Sequence, residues 1–95
     1  MMQIAAYLAF EPGQIHWMMP EGAEVLSVMC RDLIARVYVR QDPTRPLVER
    51  RFVILKTDEA CPDAETGRYI GTMIDVHRGS TPDWHFFEMI EPVIR

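Results

Sequence analysis

The sequence predicts an all-β protein: a small antiparallel β-sandwich or partly open barrel of about seven strands. Three observations predict it. Apolar residues recur with period two along most of the chain, which is the pattern of a strand with one face in a core. Prolines and glycines collect between those runs, where a missing N–H or a positive φ does no harm to a ladder. The separators recur at the spacing of one short strand and one turn, and no stretch carries the apolar period of a helix.

The clearest strand is centred on "LIARVYVR": Leu33, Ala35, Val37 and Val39 take one face, and Ile34, Arg36, Tyr38 and Arg40 the other. Just upstream, "EVLSVMC" places Leu26, Val28 and Cys30 on one face, and a short connection at Arg31 and Asp32 joins the two runs as a hairpin expected at the centre of the sheet. Around it, strands are predicted at Gln3 to Ala9, Gln14 to Met19, Leu47 to Lys56, Tyr69 to His77 and Trp84 to Ile90. Their separators are "EPG", "MPEGAE", "QDPTRP", "DEACPDAETG" and "RGSTPD".

Ninety-five residues, 48% of them hydrophobic, suffice for one core and hence one domain over 1–95. A formal charge of −4 argues against nucleic acid, whose affinity rests on clustered Lys and Arg. Lys56 is the only lysine, and the arginines at 31, 36, 40, 45, 50 and 51 read as solvated strand faces. The opening "MMQIAAYLAFEPG" has no basic leader, and its apolar run is too short for a membrane span, so a cytoplasmic protein is expected. Cys30 and Cys61 form no CxxC pair and read as free thiols.

The stretch "GTMIDVHRGSTPDWHFFEMI" gathers the most reactive side chains. If "RGSTPD" closes a hairpin, Asp75, His77 and His85 approach one another at its mouth, with Glu88 further along. A metal site needs three or four ligands at defined spacing, and a hydrolase needs a nucleophile beside its base; neither pattern is present. Neither catalytic residues, metal ligands nor a cofactor are therefore assigned. Packing accounts for more of the stretch, with Trp84, Phe86 and Ile90 on a core face and His85, Phe87 and Met89 on the other. A strand apolar on both faces is either central in its sheet or covers a partner. The same question attaches to "IHWMM", where His16 and Met18 alternate with Ile15, Trp17 and Met19.

The order "MPEGAEVLSV", "DLIARVYV", "DPTRPLVERRF", "RYIGT" and "WHFFE" resembles a family of small uncharacterised proteins of tailed phages, prophages and their bacterial hosts, over about Ile4 to Glu88. The resemblance implies a phage or prophage origin and carries no catalytic residues with it. It favours stoichiometric binding of a host protein, including inhibition of a defence or regulatory protein. Assembly as a homo-oligomer through a sheet edge is the alternative, and a metal-dependent or nucleic-acid-binding protein a further one. The partner-binding residues expected are Asp58, Glu59, Asp63 and Glu65 on the long acidic loop, with His16, Met18, His85 and Phe87 on the strand faces.

Overall fold

The computed structural model describes residues 1–74 and 83–90. Within these, seven strands run in the order β1 (Gln3–Ala9), β2 (Gly13–Pro20), β3 (Glu24–Arg31), β4 (Ile34–Gln41), β5 (Leu47–Lys56), β6 (Gly67–Met73) and β7 (Trp84–Met89). They form two antiparallel sheets, one of three strands in the order β1-β4-β3 and one of four in the order β2-β5-β7-β6. The sheets face each other as an open sandwich; they do not close into the barrel that the sequence also allowed.

The alternation in β4 decides its place. Ala35, Val37 and Val39 are fully buried while Arg36 and Arg40 are exposed, and β4 lies between β1 and β3. The hairpin with β3 is therefore at one side of its sheet, with β4 alone at the centre. Its two-residue connection is Asp32–Leu33, both at positive φ (52° and 62°), the geometry of a type I′ turn. Leu33 belongs to this turn instead of starting the strand, yet it still packs against the core. Leu26 is exposed, contrary to the expected Leu26–Val28–Cys30 face. A bulge between Val25 and Ser27 inserts it as an extra residue, so Val25, Val28 and Cys30 point inward.

Between the sheets, Phe52 and Phe86 stack with ring centres 5.1 Å apart, and Trp17 packs on Phe52 at 5.3 Å and on Tyr7 at 5.2 Å. Met19, Ile54, Met73 and Trp84 complete the filling. The sheets approach most closely where β3 meets β6: a Cβ on Gly71 would stand 2.9 Å from Val28 Cγ2, so only glycine admits this contact. The strand β7 is central, between β5 and β6, which explains why it is apolar on both faces. It ends at Met89, and Ile90 is exposed; the third inward position is taken by Glu88, not by Ile90. Antiparallel pairing of β6 with β7 over Gly67–Met73 is present, while Asp75 and His77 lie outside the described residues.

Glu88 ends the core with charge. Its carboxylate receives two hydrogen bonds from Arg50, at 2.7 and 2.8 Å, and Arg50 also donates to the Ala23 carbonyl in front of β3. Both side chains are about 15% exposed (16% and 15%), so this bidentate pair plugs one end of the sandwich. Arg50 thus departs from the expectation of a solvated arginine.

Candidate functional surface

Each sheet turns one face outward, and the two faces differ. On the four-stranded sheet, β5 presents Glu49, Arg51, Val53 and Leu55, and β7 presents His85, Phe87 and Met89. The segment 57–66 crosses this face. Asp63 holds it there: its Oδ1 accepts from the Glu65 and Thr66 amides (2.9 and 3.0 Å) and from the Thr66 hydroxyl (3.0 Å), while its carbonyl accepts from the Gly67 amide. The Thr66 hydroxyl, then the two amides, hold the Asp63 carboxyl below the ordinary 3.8. A Cβ on Gly67 would sit 2.5 Å from Pro62 Cγ, so the loop is seated directly on the strand.

Among the residues expected to bind a partner, Asp58, Glu59, His85 and Phe87 line one hollow of about 250 Å³ together with Leu55 and Cys61. His16 lines a neighbouring hollow with Thr66 and Met89 and meets Glu49 at 3.2 Å. Met18 stands exposed opposite Glu49, apart from both. Asp63 and Glu65 line neither, and Glu59 is partly occupied within the chain, accepting from the Lys56 amide at 2.6 Å. The expected acidic surface is thus in part the loop's own scaffolding.

His85 belongs to a chain of hydroxyls. Its Nε2 meets Thr57 Oγ1 at 2.8 Å and its Nδ1 meets Thr72 Oγ1 at 3.0 Å, and Thr72 meets the Tyr69 hydroxyl. This orders the ring without a carboxylate behind it, unlike the base of a nucleophilic triad. Cys30 is buried and Cys61 exposed, and neither is in a disulfide. No three His, Cys, Asp or Glu converge among the described residues.

Among the described residues, no such segment covers the outer face of the three-stranded sheet. Cross-strand pairing sets up three rows across β1, β4 and β3: Ile4–Arg40–Glu24, Ala6–Tyr38–Ser27 and Leu8–Arg36–Met29. Ile4, Leu8, Leu26 and Met29 are all exposed, Ile4 at 68%. Arg40 pairs with Glu24, whereas Arg36 meets no carboxylate among the described residues. The Tyr38 hydroxyl reaches Met29 Sδ at 3.7 Å. These residues were not singled out from the sequence. The signal was nevertheless present, since Ile4, Ala6 and Leu8 are apolar at the positions that alternate with the inward Ala5, Tyr7 and Ala9.

Among the described residues, fold and surface define a small antiparallel sandwich with one loop-covered and one uncovered outer face. The chain belongs to the family described as a domain of unknown function (DUF7352), whose model matches residues 7–94. No curated protein and no solved structure matches it. No helix among the described residues is long and apolar enough to cross a membrane.

Proposed function

We propose that the protein acts by stoichiometric binding of another protein through the uncovered face of the three-stranded sheet. One observation carries the reading: Ile4, Leu8, Met29 and, at the β3 bulge, Leu26 are exposed together on one sheet face around Tyr38 and Arg36. Tyr, Met and Arg are the residue types enriched where proteins meet, and exposed apolar area gathered on one face marks such a site better than the same residues scattered. The resemblance to phage and prophage proteins supports a host protein as the partner and inhibition of a host defence or regulatory protein as the use.

Affinity capture from host lysate identifies the partner, and titration calorimetry with that purified partner tests the surface. Leu26→Glu with Met29→Glu is expected to weaken binding by roughly thirtyfold or more, the size of a lost hot spot, at an unchanged unfolding midpoint. Asp58→Lys with Glu65→Lys, on the opposite face, is expected to leave affinity within a few-fold. Wild-type affinity in the first variant would remove the proposed surface.

A further inference from the structure

We propose that the free edge of β1 receives an added strand, supplied by an extended, uncharged and largely apolar segment of the partner. The proposal rests on the protein-binding reading and names how the partner engages. It starts from the open side of the sandwich. β3 packs on β6 at one side, which leaves β1 and β2 as the edges at the other, where Tyr7 on β1 meets Trp17 on β2 with ring centres 5.2 Å apart. Tyr7, Trp17 and Ile15, the last two on the inner face of β2, are half-buried there. Among the described residues no strand lies beside β1 on that side, and one added there would cover all three.

The edges themselves differ in the same sense. Natural sheets protect open edges with charge, proline or bulges. β3 carries Glu24, Arg31 and its bulge; β6 carries Arg68, Gly71 and a shift between Tyr69 and Gly71; β2 begins at Gly13, ends at Pro20 and bears His16. β1 reads QIAAYLA, with no charge, no proline, no glycine and no break in its register from Gln3 to Ala9. Its outer amides and carbonyls, unpaired among the described residues, are a straight template for a further strand, and strand addition draws affinity from such backbone groups and specificity from alternate side chains. An uncharged segment suits it because a charge on the inward side would be buried against Trp17. Outward side chains of the added strand would lie beside Ile4 and Leu8, continuous with the face described above.

The probe is a capped synthetic peptide with the sequence of residues 3–9, which is itself uncharged. Paired antiparallel about Ala6, it sets Ile beside Leu on the outer side and Tyr beside Ala on the inner side. Titrated into the full chain, it is expected to shift Trp17 emission to the blue and to protect β1 amides from hydrogen exchange. The emission change should be absent in Trp17→Phe. Ile4→Lys with Leu8→Lys places charge on the edge at two exposed positions, and is expected to weaken the peptide by roughly tenfold or more at an unchanged unfolding midpoint. The proposal fails if the peptide at millimolar concentration leaves both readouts unchanged, or protects another edge. It fails too if the chain alone dimerises through β1, since the place is then taken by a second copy. A partner that loses affinity to Leu26→Glu with Met29→Glu, together with a peptide that ignores β1, removes strand addition and keeps the binding reading. The converse result removes the face and keeps the edge.

Discussion

The two outer faces start from the same sequence pattern and end differently. On the four-stranded sheet, Leu55, Phe87 and Met89 are half-buried because residues 57–66 fold back across them. On the three-stranded sheet, Ile4, Leu8, Leu26 and Met29 meet solvent around Arg36, Tyr38 and the Arg40–Glu24 pair. A strand apolar on both faces therefore has two meanings within one molecule. In β7 it reflects a central position with cover from the chain itself, and in β1 it occurs at an edge where no described segment supplies the cover. Covering apolar surface contributes roughly 25 cal/mol per Å² wherever the cover comes from, so the uncovered face is the one with free energy still to gain from a partner.

The comparison is broken most completely from inside, because both sheets share one core. Phe86→Ala deletes a fully buried ring stacked on Phe52, and is expected to cost roughly 3–5 kcal/mol, measured by denaturant titration. Both sheets should unfold in one transition in that variant; a three-stranded sheet that keeps its midpoint would show that the faces are energetically separate. Next in size is Glu88→Gln, which leaves Arg50 charged and largely buried against Ala23. A cost of about 2–3 kcal/mol is expected, below the 3–5 of fully buried pairs because the ends remain partly wet. Arg50→Met with Glu88→Leu should recover most of it, and a double variant as unstable as the single would mean that the pair does more than neutralise itself.

The sequence specifies these two faces unequally. Period-two alternation located every strand, since an inward face is enforced at each second residue, and it placed Gln3–Ala9 and Leu47–Lys56 with the bounds observed. It misjudged Leu26 because one bulge reverses the phase for everything before it, and no residue type marks a bulge reliably. It misassigned Leu33 because Asp32 and Leu33 adopt positive φ where Asn-Gly would have announced the turn. Ile90 was expected inward on alternation alone, but Glu88 has a guanidinium partner from a strand 38 residues away, which local pattern does not encode. The acidic loop was legible as a loop; that Asp63 and Glu59 bond their own backbone was not, since carboxylates that cap a turn and carboxylates that await a partner look alike in sequence.

The smallest expected effect separates the covered face from the uncovered one by pH. The Asp63 carboxyl is held below its ordinary 3.8, first by the Thr66 hydroxyl and then by the Glu65 and Thr66 amides, all of which bond the charged form. A group whose folded value is depressed contributes stability that is fully present above its unfolded value and is lost as pH falls through the folded one. From neutral pH down to about 4 the loop should therefore stay seated, and below that it should loosen. Hydrogen exchange at Glu65, Thr66 and Gly67 should accelerate in that acid range beyond the intrinsic pH dependence, and Asp63→Ala should show the faster exchange already at neutral pH. Asp42 offers the matching control in the turn between β4 and β5, where the Thr44 hydroxyl and then its amide lower the carboxyl in the same direction. Asp63→Ala should leave the Thr44 amide, and the amides of β1 and β4, exchanging as in wild type. If those amides loosen with the loop, the cover on the four-stranded sheet is coupled to the whole sandwich, and the two faces cannot be treated as independent surfaces.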